Sequence, residues 1–219
     1  MHAVIAAAEV AERLHVVNSR IASAGGVGVR VVAVTKTWGL DAVRAAAAAG
    51  CEAIGENYAQ ELVAKLTGES DLPSVHFIGR LQTNKVRLVA PLVSVYETVD
   101  RISLATEIAR RAPGARVLVQ VSADRDPAKG GCALGDVAAL VEQCRALGLD
   151  TAGLMTVGPT DGGPETARPG FRAVRAAVDV LGLTVCSMGM SDDLEVAVAE
   201  GSTQVRIGSA LFGLRPPTS

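Results

Sequence analysis

The sequence predicts a single (β/α)8 TIM barrel with one extra helix at its N-terminus. Three observations carry this: short apolar, β-branched runs recur along the whole chain, amphipathic stretches of helical length separate them, and the units number eight. Such alternation implies parallel strands joined by right-handed crossovers, and eight units close a barrel. A doubly wound open sheet is the competing arrangement. It is disfavoured because no Gly-x-Gly-x-x-Gly follows the first strand, where a dinucleotide fold keeps its phosphate turn. With 219 residues the chain suits one domain, 1–219, at the short end for a barrel.

The elements follow in order. Apolar residues at Ala7, Ala11, Leu14, Val17 and Ile21 form a helical stripe that precedes the first strand and is expected to cap the barrel. Val31 to Thr37, VVAVTKT, is the first strand, and an alanine-rich helix from Leu40 to Ala49 is stopped by Gly50. Cys51 to Ile54 is the second strand, after which Asn57-Tyr58-Ala59-Gln60 has the form of a capping box opening a helix to Leu66. Val75 to Ile78 is the third, followed by Gly79 and a helix from Thr83 to Val89 that Pro91 ends. Leu92 to Thr98 is the fourth, and Asp100 is placed to cap the helix to Arg111. Pro113-Gly114 turns the chain into the fifth, Arg116 to Ser122, whose C-terminal end carries the polar loop Ala123 to Gly131. A helix from Gly135 to Ala146 leads to the sixth strand, Thr151 to Met155. The Pro/Gly-rich segment Gly158 to Gly170 reads as a βα-loop before a helix from Phe171 to Leu181. Thr184 to Met188, a short helix from Asp192 to Ala199, and Gln204 to Gly208 complete the series.

Composition narrows the function. A net charge of -2 gives no basic field for nucleic acid, so no nucleic-acid partner is expected. No apolar run approaches the ~18 residues of a membrane span, and Glu9, Glu12 and Arg13 stand where a signal peptide would have its apolar core. A cytoplasmic protein without membrane association is expected. Cys51, Cys132, Cys144 and Cys186 have neither the short paired spacing of a zinc site nor a disulfide framework, so no metal is expected.

Chemistry enters at strand ends. Lys36 sits where the first strand meets Trp38-Gly39. Loss of hydration there favours a neutral amine able to attack an aldehyde, although in isolation a lysine snorkelling to solvent is the favoured reading. In such barrels phosphates are held after strands seven and eight. Ser187-Met188-Gly189-Met190-Ser191-Asp192-Asp193 and Arg206-Ile207-Gly208-Ser209 supply small residues, backbone amides and hydroxyls there, with Gly208 and Ser209 at the start of a final turn and Ser187 adding a second hydroxyl. Ser191 is read as a helix cap, with Asp192 and Asp193 matching the positive helix end. Arg206 interrupts an apolar strand on the face of Gly208; it points either into the barrel mouth or outward to a carboxylate. Together Lys36 and this phosphate end suggest a phosphorylated carbonyl compound.

The motifs VAVTKT, GENYAQE, VHFIGRLQTNK, GLMTVG, SMGMSDD and GSTQVRIGSALFG occur in order over nearly the whole chain. By these it closely resembles the YggS/PROSC pyridoxal phosphate homeostasis proteins, fold-type III barrels similar to the alanine racemase N-terminal domain. The resemblance implies a covalent aldimine of pyridoxal 5'-phosphate on Lys36. It also implies Arg206 at the pyridine nitrogen, Ser187, Gly208 and Ser209 on the phosphate, and Asn57 and Met155 along the ring.

An arginine at the ring nitrogen is a poor proton source, which weakens carbanion chemistry and argues for a carrier over an enzyme. The leading expectation is a pyridoxal phosphate store that buffers the free cofactor and passes it to apo-enzymes. The racemases' second domain is not present in the sequence, so a monomer is expected. One alternative is a single-domain racemase-like enzyme, for which Tyr58 is the nearest candidate acid/base. A Schiff-base aldolase on a sugar phosphate is the other. Lys85 and Lys129 read either as secondary amines for incoming cofactor or as solvated charges, and His76 as a hydrogen-bonded strand histidine rather than a catalytic base.

Overall fold

The computed structural model describes residues 5–123 and 129–213. It is a closed barrel of eight parallel strands in sequential order, with β1 pairing both β2 and β8. The strands are β1 (Arg30–Val34), β2 (Ala53–Glu56), β3 (Ser74–Phe77), β4 (Val95–Val99), β5 (Arg116–Val121), β6 (Asp150–Thr156), β7 (Val185–Ser187) and β8 (Gln204–Ile207). The helices are α1 (Ala7–Ser23), α2 (Leu40–Ala48), α3 (Ala59–Leu66), α4 (Val86–Val89), α5 (Ile102–Arg111), α6 (Val137–Ala146), α7 (Arg168–Val180), α8 (Leu194–Ala199) and α9 (Ser209–Phe212). The predicted alternation is therefore observed.

Strand residues alternate between two environments, as a pleated barrel requires. Ile54, Phe77, Tyr96 and Leu154 enter the large core between barrel and helices, against residues such as Leu62, Leu104 and Ile108. A small separate cluster of Val95, Leu118, Ala152, Met155 and Val185 comes from strands alone and fills part of the interior. Gly153 has a packing reason: a Cβ there would lie 2.0 Å from the Val185 carbonyl oxygen.

Several local expectations change. The N-terminal helix α1 packs against α2, α8 and α9, with Val10, Val17 and Ile21 buried, while its Leu14 and Asn18 border the cavity at the N-terminal strand ends. Arg20 ties it to α8 through Glu195 at 2.6 Å. The fourth strand starts at Val95, later than Leu92, because Leu92 and Val93 still hydrogen-bond back to Val89. Asp100 makes no cap and instead pairs with Arg101 at 2.5 Å. The loop after β5 lies partly outside the described residues. Within the loop after β6, Pro164–Ala167 form a 3-10 turn that runs straight into α7. Cys51, Cys144 and Cys186 are buried, and burial pushes the first two thiols up to about 11 and the third to about 12, which fits inert packing. No cluster of metal-ligating side chains occurs among the described residues.

Candidate functional site

The C-terminal strand ends bring the predicted residues to one face. Lys36 is half-buried in the turn that follows β1, and Asn57 follows the last residue of β2. Arg206 lies within β8, with Gly208 and Ser209 directly beyond it. Trp38 packs on Phe212 with ring centroids 6.1 Å apart, so the Lys36 turn leans on α9.

The Lys36 turn is gripped on both sides. Lys65 of α3 donates to the Thr35 carbonyl at 2.9 Å, to Glu56 at 2.7 Å and to Glu61 at 2.8 Å. Glu61 in turn accepts the Thr37 backbone N–H at 2.6 Å, and Thr35 Oγ1 donates to Glu56 at 2.6 Å. This matters because Thr37 has φ +68, a left-handed conformation that a β-branched residue adopts only when its surroundings impose it. The residues before and after Lys36 are thus both tied to one helix. Glu61 and Lys65 are four apart, so one face of α3 presents both.

Inside the barrel a chain of polar groups leads to Arg206. Its guanidinium is buried, donating to Ser187 Oγ at 2.7 Å and to the Thr156 carbonyl at 2.7 Å. Ser187 donates to Glu97 at 2.6 Å, Gln204 donates to Glu97 at 2.8 Å, and His76 Nδ1 lies 2.5 Å from the same carboxylate. Burial by itself would raise Glu97, but the hydrogen bond and charge of His76, with Arg206 and Ser187, hold it below the usual carboxylate range. Burial draws the Arg206 guanidinium below its ordinary value, opposed by Glu97 and Asp193. Starting from so high a value, the guanidinium remains charged. Arg206 therefore points inward, and Glu97 is its buried counter-charge.

The phosphate end differs from the sequence reading at one residue. The Ser187 hydroxyl is fully buried and engaged with Glu97, Gln204 and Arg206, one layer below the mouth. Ser191 is the hydroxyl beside Ser209, at 3.1 Å, and it accepts the Ala210 N–H at 3.3 Å. It does not cap α8, whose N-cap is Asp193; Asp193 accepts the Met190 N–H at 2.6 Å. Gly189 makes this turn possible, with φ +96 and room for no side chain, since a Cβ would meet Ala197 Cβ at 2.5 Å. Gly208 is the opposite case. A Cβ there would meet only Val34 at ordinary contact distance, leaving a small open cradle.

Asn57 does not form the expected capping box. Tyr58 is the N-cap of α3 and no side chain caps it, while Asn57 Oδ1 is buried without a hydrogen-bond partner. A buried acceptor left open at a strand end is a group available to a ligand. Met155 is almost wholly buried in the interior cluster and is paired in register with Ser187. Behind Asn57, Gly79 is required by close approach, because a Cβ would lie 2.1 Å from the Asn57 carbonyl oxygen. Gly79→Ala is expected to cost about 1–3 kcal/mol by forcing backbone apart, with weaker pyridoxal phosphate binding as Asn57 shifts. Denaturant midpoints and a cofactor titration on the same variant check both effects.

A family model for the alanine racemase N-terminal domain matches residues 5–216. A pyridoxal phosphate homeostasis protein of Pseudomonas aeruginosa is 39% identical over 220 residues, spanning 94% of this chain and 96% of that one. The chain belongs to the pyridoxal phosphate homeostasis family. Another family member, from Aquifex aeolicus, is 38% identical over 198 residues, spanning 85% of this chain and 87% of its own. Among solved structures, PipY of Synechococcus elongatus with pyridoxal phosphate bound superposes with a TM-score of 0.82 at 32% identity. That match covers 93% of this chain and all of PipY.

Sequence reasoning missed Glu97, Gln204, Glu61 and Lys65, and it gave Ser191 a capping role in place of its contacts with Ser209 and Ala210. A signal existed for Glu97, a carboxylate inside the apolar strand VSVYETV, placed as anomalously as Arg206.

Proposed function

We propose that this protein binds pyridoxal 5'-phosphate covalently through Lys36, keeps a reserve of it, and releases it to apo-enzymes. The Lys36 amine would hold the cofactor through its aldehyde, which would supply a reversible linkage suited to storage. Two features support the fit: the open acceptor of Asn57 Oδ1 and the cradle at Gly208. In this reading Gly208, Ser209 and Ser191 hold the phosphate, Asn57 and Met155 border the ring, and Arg206 faces the ring nitrogen. Ser187 then acts one step back, orienting Arg206 together with Glu97.

Arg206 is the observation that carries the choice of carrier over enzyme. Bound pyridoxal phosphate supplies an electron-withdrawing ring, which is strongest as an electron sink when its nitrogen is protonated. A guanidinium held charged by buried Glu97 has no proton to spare for that nitrogen. The tyrosines fit an acid/base role poorly. Tyr96 is turned into the core outside the barrel with its hydroxyl pushed up to about 12 by burial, and Tyr58 is 54% exposed. Lys129 donates to the Gly158 carbonyl at 2.8 Å, so an acceptor role for its amine would require breaking that contact. No helix among the described residues is long and apolar enough to cross a membrane. A cytoplasmic monomer belongs to the same proposal.

Loaded protein mixed with an apo-aminotransferase tests this function. Restored aminotransferase activity is expected, with no deuterium entering the Cα of alanine when the loaded protein is incubated alone in heavy water. Steady deuterium incorporation would instead make it a racemase-like enzyme.

A further inference from the structure

Positive charge on this surface is nearly always matched. Arg44 meets Glu69, Arg110 and Arg111 share Glu107, and Arg168 and Arg172 share Glu200. The side chains of Arg30, Arg80, Lys85 and Arg87 make no hydrogen bond or ion pair among the described residues. All but Arg30 fall between positions 80 and 87, within the motif VHFIGRLQTNK and the start of α4. The pyridoxal phosphate reading uses His76 and Gly79 of that motif but gives its second half, Arg80 to Lys85, no task.

Arg80 and Lys85 line a cavity of about 540 Å³ beside the ends of β2, β3 and β4. Buried Phe77 and Leu81 contribute apolar surface to it, and Tyr58 adds a half-exposed aromatic ring. The carboxylate present, Asp100, is already engaged by Arg101, whose Nη2 also donates to the Leu81 carbonyl at 3.0 Å and braces the loop. That leaves two uncompensated cations facing a concave space of the size that holds small ligands. Two such charges match a dianion, and a phenol ring beside them suits a flat body.

We propose that this cavity, which borders the Lys36 site at Asn57 but is not lined by Lys36, is a second ligand site that takes a phosphate monoester carried on an aromatic ring. Arg80 and Lys85 hold the phosphate and Tyr58 stacks on the ring. The proposal does not depend on the Lys36 reading.

Backbone-amide NMR of the full chain titrated with phenyl phosphate tests it by location. Saturable shifts are expected at Tyr58, at Gly79 to Gln82 and at Lys85. Affinity at these positions is expected to fall at least tenfold in Arg80→Gln/Lys85→Gln and to stay unchanged in Arg87→Gln. Tyr58→Ala should weaken phenyl phosphate but leave inorganic phosphate as it was. Shifts confined to Ser191 and Gly208 to Ala210, or affinity that survives the double substitution, would overturn the proposal. Binding of an oligoglutamate peptide at these positions without binding of phenyl phosphate would overturn it as well, making the patch a surface for acidic protein segments.

Discussion

Replacing Lys65 by methionine is expected to lower stability by about 3–5 kcal/mol, the range for breaking a buried ion pair from one side. The Lys65 side chain is 6% exposed and that of Glu56 is fully buried. Without the ammonium, Glu56 keeps only the Thr35 hydroxyl, and its Oε2 already lacks a partner. At this chain length such a loss lowers the melting temperature by roughly 10 °C. The pH dependence has a defined sign. Burial raises the Glu56 carboxyl above its ordinary value even with Lys65 opposing it. In the window between the unfolded and the raised folded pKa, the folded state therefore binds more protons than the unfolded state, and stability falls as pH rises. Removing Lys65 widens that window upward. The variant's deficit should thus grow as pH rises above the ordinary carboxylate range and shrink as pH falls back toward it. Urea melts of Lys65→Met at several pH values check this, and Lys65→Met/Glu56→Gln should recover much of the loss. A deficit below about 1 kcal/mol, the range of an exposed pair, would show that the pair does not stabilise the fold.

The same substitution bears on function. Lys65 and Glu61 hold Thr35 and Thr37, the neighbours of Lys36, and Thr37 is kept at a positive φ. With that grip released the turn can relax, and cofactor loading should slow along with the fall in stability.

The barrel was legible because its signal is repeated: each strand is a short apolar run and each is followed by an amphipathic helix. Lys36 and Arg206 were legible for a related reason, since a charge inside or at the end of an apolar strand stands out. Glu97 carries the same signal, yet the partnership with Arg206 joins β4 to β8 and becomes visible only when the barrel closes. Turn detail was less legible. Ser187 and Ser191 are both small hydroxyl residues near one strand end, and local pattern does not rank them. The end of β7 at Ser187 turns that hydroxyl inward to Glu97, while the positive φ of Gly189 carries Ser191 across to Ser209. The Asn57 capping box failed because the helix starts one residue later than a cap at Asn57 requires. A motif reading has no access to that one-residue offset.

Covalent capture at Lys36 is the central claim, and removing the amine should abolish it completely. No other lysine reproduces its position in the turn held by Glu61 and Lys65, so Lys36→Ala is expected to lose the visible absorption band of the loaded protein. The most direct measurement is borohydride reduction of wild-type and Lys36→Ala protein after incubation with pyridoxal phosphate, followed by peptide mass spectrometry. A reduced adduct on the Lys36 peptide of the wild type, absent from the variant together with the band, is expected. A wild type that takes up no pyridoxal phosphate, or one modified only at Lys85 or Lys129 with Lys36 untouched, would contradict the account.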